Sequence, residues 1–238
     1  TPLPAPTLPG VERGYNVVLA GIGGTGIVTV GAMLAQAAHF DGLRASVLDL
    51  TGMAQKYGAV MSHLRFMPAG ATLPSSRLAE GEADTVIGCD LIVAAGQEAL
   101  SKMAPGRTFA VVNSAVIPTG DFTRQPDWDP DAASLVERLK SRTGGALHAL
   151  DAERIATALM GDSIATNMFL LGYAWQHGRI PVSLASLEKA IEQSGVDVAF
   201  NRSSFDWGRR MAVEPDAVQK AAAGPQEAGA TVVEFAPR

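Results

Sequence analysis

The chain has 238 residues, enough to bury a substantial core as one domain with or without extensions. Hydrophobic residues make up 47% and charged residues 18%, which excludes disorder over the whole length. The net charge of −5 leaves no basic footprint for nucleic acid or an anionic membrane, and the lone Cys89 excludes an internal disulfide or an iron–sulfur cluster held by this chain alone.

Cys89 reads as a small hydrophobe packed near a strand start. The four histidines, His39, His63, His148 and His177, show no metal-ligand spacing. No apolar run reaches membrane-spanning length and no secretory signal is visible, so a cytoplasmic protein is expected.

Residues 1–14 open with TPLPAPTLPG and read as a Pro-rich linker. The absence of a leading Met fits a processed subunit or a segment of a longer polypeptide. NVVLAG (16–21) is a short apolar run ending in glycine, a buried strand. Residues 25–38 follow at helical spacing, with Gly31, Ala32 and Ala35 letting the helix sit close to a sheet. RASVLDL (44–50) is a second strand. VMSHLRF (60–66) alternates, with Val60, Ser62, Leu64 and Phe66 on one face and Met61, His63 and Arg65 on the other. CDLIVAAG (89–96) and RTFAVVN (107–113) read as further strands and ASLVERLKSR (133–142) as a helix. A short ALHAL strand leads into DAERIATALMG, with Asp151 as its N-cap. From residue 163 to 212 the signals are helical only: SIATNMFLLGYAWQHG, PVSLASLEKAIEQSG and VDVAFNRSSFDWGRR read as amphipathic helices. Residues 213–238 read as an arm or linker.

Strands alternating with helices over 15–162 predict an α/β domain, a mainly parallel, Rossmann-like doubly wound sheet, with 163–212 as its C-terminal helical extension. Gly21, Gly23 and Gly26 satisfy G-x-G-x-x-G between a strand and a helix. Glycines permit a tight turn, and helix N-terminal N–H groups attract phosphate. Asp49 stands about where a ribose-binding acid belongs, so an NAD(P)-binding dehydrogenase domain is one reading. Glycines that merely pack a helix on a strand are a second. A different pyrophosphate-bearing ligand, or a phosphate-shaped part of a partner, is a third.

Several stretches agree, in order, with one family: GIGGTGIVTVGAMLA, LDLTGMAQKYGAVMSHLRF, GCDLIVAAGQEAL, VVNSAVIPTGDFTRQPD, and FLLGYAWQHGRIPVSLASLEKAIE with NRSSFDWGR. Over roughly residues 15–210 the chain resembles the γ-type domains of 2-oxoacid:ferredoxin oxidoreductases, in particular their indolepyruvate branch. One departure is Tyr57, where the family pattern leads us to expect a small residue after Gln55–Lys56.

The resemblance implies an enzyme that decarboxylates a 2-oxoacid on thiamine pyrophosphate, passes electrons through [4Fe–4S] clusters to ferredoxin and the acyl group to coenzyme A. It implies that thiamine pyrophosphate, Mg and the clusters sit in a partner subunit or domain. Consistent with that, the pairs Gly120–Asp121 and Gly161–Asp162 lack the second glycine and the Asn pair of a thiamine pyrophosphate motif. This chain is then the CoA-side, active-site-closing component, inactive alone. Its candidate ligand contacts are Gly21, Gly23, Gly24, Thr25, Gly26, Gln55, Lys56, Ser62 and Asn113. His63 and Arg65 are candidates for catalytic or positioning roles. Each has a plainer alternative: a solvated loop charge for Lys56, a satisfied strand histidine for His63, an ordinary ion pair for Arg65 and a turn cap for Asn113. An assembly module that binds no small molecule also stays open, on the strength of Trp175, Phe200 and Trp207.

Overall fold

The computed structural model describes residues 2–51, 58–115 and 131–224. Strands β1 (Tyr15–Ile22), β2 (Arg44–Thr51), β3 (Ala59–Met67), β4 (Thr85–Gly88), β5 (Phe109–Asn113) and β6 (Leu147–Leu150) form one sheet in the order β2-β3-β1-β4-β5-β6. The β1–β4, β4–β5 and β5–β6 ladders are parallel. β3 runs against both β1 and β2. The mainly parallel sheet expected from the sequence is present, with β3 as its one reversed strand. Chain length explains the reversal. Only residues 52–58 separate β2 from β3, and a parallel return needs a crossover of about a dozen residues or more.

β1 is buried along its whole length. Val17 and Leu19 enter one core cluster and Val18 and Ala20 the other, the period-2 signature of a strand covered on both faces. The first face carries helices α1 (Ile27–Phe40), α5 (Ala152–Met160), α6 (Ala165–Gln176), α7 (Leu184–Ser194), α8 (Val198–Val213) and α9 (Pro215–Ala222). The second carries α2 (Leu91–Ala94), α3 (Gln97–Lys102) and α4 (Ala132–Arg142).

The structure corrects four expectations. CDLIVAAG is not a strand: β4 ends at Gly88, and Asp90 caps α2 by accepting the Val93 N–H at 2.8 Å. A side chain that caps a helix stops a strand as surely as it starts the helix. α6 is not amphipathic, because every one of its residues is buried between the sheet and α8. α9 occupies the start of the expected C-terminal arm. Asp151 does not cap α5 through its side chain; it pairs with Arg154 at 2.6 Å.

The proline-rich start lies against the fold. Gln176 Nε2 donates to the Pro4 carbonyl at 2.6 Å, and Leu8 and Val11 pack on the core. Trp175 is buried, donating Nε1–H to the Val182 carbonyl at 2.8 Å. Phe200 and Trp207 pack, half-buried, on the same cluster.

Candidate functional site

The chain leaves β1 at Ile22 and reaches α1 at Ile27 through the glycine turn. Gly24 and Gly26 stand at φ of 85° and 91°, where a Cβ is strained. Gly23 N–H is already spent on the Gly58 carbonyl (2.8 Å), and the Thr25 hydroxyl donates to the Ile22 carbonyl (2.7 Å). From α6, Asn167 Nδ2 donates to the Thr25 carbonyl at 2.6 Å and ties the turn to the helical layer. Among the described residues α1 has no side-chain cap, and its first turn holds no acidic residue. Its first N–H groups and the positive end of its dipole are therefore open to an anion.

Beside the turn lies a cavity of about 240 Å³, lined by Ile22, Thr25, Cys89, Asp90, Glu153 and Asn167 among others. It opens at the carboxyl ends of β1, β4 and β5. From β1 the chain turns toward β2, whereas from β4 it proceeds to β5, so the cavity sits at the switch point of the sheet, where ligands of open α/β folds bind.

Asp90 is 2% exposed. Burial pushes its carboxyl above the usual carboxylate range, against the pull of the Val93 and Ile92 N–H groups, and the Glu153 charge adds to the rise. Glu153 is placed by Asn113, whose Oδ1 accepts the Glu153 backbone N–H at 3.2 Å and that of Ala115 at 3.3 Å. Asn113 lines the cavity, with Oδ1 engaged in these strand-end bonds and Nδ2 donating to the Cys89 carbonyl at 3.5 Å. Cys89, also at the wall, is buried, and burial pushes its thiol far up, leaving it protonated. Sequence reasoning singled out Asn113 but missed Asp90, Glu153 and Asn167. Asp90 was hidden inside an apolar run taken for a strand.

The β3 candidates lie elsewhere. Ser62 is fully buried, faces Gly31 of α1 and donates its hydroxyl to the Asp49 carboxylate across the β2–β3 ladder. His63 is fully buried on the opposite face, where Nδ1 accepts the Leu78 N–H at 3.1 Å. Burial and the nearby cations of Lys102, Arg77 and Arg65 push it down to about 4 against the pull of Glu98, so it is neutral. Arg65 is 9% exposed and pairs with Glu82 at 2.5 Å. It stands opposite Asn16, at the far end of β1 from the glycine turn; six residues of strand put about 20 Å between Asn16 and Ile22. Arg65 thus forms the ion pair weighed as its plainer reading, though a buried one, and the structure does not bring it together with the turn. Gln55 and Lys56 lie outside the described residues.

Asp49 is likewise turned away from ribose duty. β3 separates β2 from β1, so Asp49 lies two strand spacings, about 10 Å, from the turn-bearing strand. In the dinucleotide-binding order β2 adjoins β1 directly.

The family model described as "Pyruvate ferredoxin/flavodoxin oxidoreductase" matches residues 16–210. The chain belongs to this family. Its sequence is 29% identical over 204 residues to the indolepyruvate oxidoreductase subunit IorB of Pyrococcus horikoshii, covering 84% of this chain and 96% of that one. The fold is similar to the gamma subunit of a keto/oxoacid ferredoxin oxidoreductase from Geobacter sulfurreducens, with a TM-score of 0.57, 20% identity, and 84% and 98% of the two chains covered. A TM-score of 0.59 at 21% identity relates it to 2-oxoglutarate:ferredoxin oxidoreductase from Magnetococcus marinus, solved with 2-oxoglutarate, coenzyme A and succinyl-CoA. There the match covers 84% of this chain but 31% of the longer one. The family model and the curated relative agree on a subunit of a 2-oxoacid oxidoreductase, and the solved gamma subunit shares its fold.

Proposed function

We propose that this chain is the γ-type component of a thiamine pyrophosphate-dependent 2-oxoacid:ferredoxin oxidoreductase of the indolepyruvate type, acting on an aryl or branched 2-oxoacid. Its role is to bind coenzyme A and to help close the active site of a partner subunit or domain that holds the thiamine pyrophosphate, Mg and [4Fe–4S] clusters and passes electrons to ferredoxin. The observation that carries the CoA reading is the uncapped, acid-free N-terminus of α1, standing beside a cavity at the switch point of the sheet. Coenzyme A, when bound, supplies the thiol that accepts the acyl group. Its pyrophosphate suits the N–H groups of Gly24 and Gly26 and the first turn of α1, the Thr25 N–H being turned to the Ile22 carbonyl at 3.4 Å. Lys56 and Gln55 are proposed as further contacts, on their chemistry and their position in the sequence. Val28, in that first turn and 46% exposed, and Ile164, at the cavity and 52% exposed, give the site an apolar rim suited to a partner surface.

A dehydrogenase reading is disfavoured by the insertion of β3 and the engagement of Asp49 by Ser62. The test is titration calorimetry of the assembled enzyme with CoA and with NADH, on the parent and on Thr29→Glu. Thr29 is exposed in the first turn of α1, where a carboxylate stabilises a helix but repels phosphate. CoA binding weakened at least tenfold in a variant of undiminished thermal stability supports the proposal. Unchanged CoA binding, or NADH binding in preference to CoA, overturns it.

A further inference from the structure

Two carboxylate oxygens at the cavity, Oδ2 of Asp90 and Oε2 of Glu153, are buried and have no hydrogen-bond partner among the described residues. Oδ1 of Asp90 is satisfied by the cap of α2, so the bare oxygen is not needed to hold the helix. A buried acceptor without a donor is destabilising, the more so when charged. An occupant that donates hydrogen bonds removes that cost, whereas a phosphate would face two carboxylates. The site is therefore divided. The α1 N-terminus favours an anion, and the adjoining cavity favours neutral donors. Apolar wall residues, Ile22 and Ile164, accompany the carboxylates. At about 240 Å³ the cavity is smaller than the roughly 300–1,000 Å³ of a whole-ligand pocket, so it suits a segment of a larger molecule.

Coenzyme A has such a segment. Its pantetheine arm is uncharged, carries a hydroxyl, amide N–H groups and a thiol between methyl and methylene groups, and begins at the pyrophosphate. Its ribose fits worse, because the free 2′-hydroxyl adjoins the 3′-phosphate and would bring that charge to the carboxylates. We infer that the cavity receives the pantetheine arm, whose hydroxyl and amide N–H groups donate to Asp90 and Glu153 while the pyrophosphate stays at the α1 N-terminus. This rests on the CoA reading above and names the part of CoA that each half of the site takes. Donors stabilise the ionised carboxylates, so binding weakens on acidification as the Asp90 carboxyl, raised by burial, takes a proton.

The experiment compares CoA with its nucleotide portion, 3′-phospho-ADP, by calorimetric titration of the assembled enzyme and of variants Asp90→Asn and Glu153→Gln. Asn caps helices about as well as Asp, so the first variant keeps α2. Urea midpoints establish that both fold. The expected result is a loss of CoA affinity of at least tenfold in each variant, with 3′-phospho-ADP affinity unchanged. If both affinities are unchanged, the cavity is off the ligand's path and the inference fails. If both fall together, the carboxylates read the nucleotide end and the inference also fails. A parent enzyme that binds neither compound overturns the CoA reading as well.

Discussion

Asn167, buried in the first turn of α6, donates its side-chain amide to the Thr25 carbonyl at 2.6 Å. A residue of the C-terminal helical layer thereby fixes the glycine turn that follows β1. Replacing Asn167 with Ala leaves a half-buried carbonyl without its donor, at a cost of about 1–3 kcal/mol. The turn then gains freedom, and preorganisation of the α1 N-terminus is lost. Denaturant unfolding should show the stability loss, and calorimetry a weaker affinity for CoA. Stability lost with CoA affinity intact would mean that the turn does not contact the ligand.

The helical layer is held by a close crossing of α6 and α8. A Cβ built on Gly172 overlaps the Phe205 carbonyl, and one built on Gly208 overlaps the Phe169 carbonyl. Backbone cannot rotate away as a side chain does. Gly→Ala in an ordinary helix gains about 1 kcal/mol. Here Gly208→Ala should instead lose about 3 kcal/mol, the upper end of overpacking costs, read as a lowered urea midpoint. Because α6 carries Asn167, the same variant should weaken CoA binding.

The strand–turn–helix start was legible because its signals are local: an apolar run, glycines, then small residues at helical spacing. The alternation of β3 was also legible, and it divided Ser62, Leu64 and Phe66 correctly from His63 and Arg65. Their surroundings were not legible. Whether β3 lies at an edge or between β1 and β2 is decided by long-range pairing, and only the inserted position buries both faces. Ser62, His63 and Arg65, candidates by residue type, are paired with Asp49, Leu78 and Glu82. The carboxylates of the cavity escaped for a related reason. Asp90 and Glu153 are 63 residues apart and meet only because β4 and the β6–α5 connection end on the same side of the sheet.

His63 makes stability pH-dependent. Its folded pKa, about 4, lies below the ordinary 6.5, because burial and neighbouring cations disfavour the charged ring. Between those values the unfolded chain binds a proton that the folded chain does not. Stability is therefore full above about pH 6.5, falls as pH drops toward 4, and levels below it as far as this group is concerned. His148 and His177, whose rings lie 4.9 Å apart, are also lowered by burial and add to the same slope. His63→Gln keeps an acceptor for the Leu78 N–H and removes the titration. Thermal melts across pH 4–7 should be flatter for the variant; an unchanged slope would exclude His63 as its source.

Arg65 provides the sharpest contrast between a structural and a functional role. Its guanidinium bonds Glu82 at 2.5 Å and the Arg77 carbonyl at 3.3 Å, and Glu82 also accepts the Ala79 N–H at 2.8 Å. Burial opposes ionisation of Glu82, but the Ala79 N–H and Arg65 outweigh it and hold the carboxyl below its ordinary value. Arg65→Met strands that charge and should cost about 1–3 kcal/mol, because a partly buried partner loses its donor. Glu82→Gln retains an acceptor for Ala79, so the double variant Arg65→Met/Glu82→Gln should recover part of the loss. A double-mutant cycle on unfolding free energies measures that coupling. The kcat/KM of the assembled enzyme should stay near the parent value in every variant that folds, since Arg65 stands about 20 Å from the turn end of β1. A stability loss no larger than the roughly 0–1 kcal/mol of an exposed pair, with a tenfold or greater drop in kcat/KM, would instead place Arg65 in the working site.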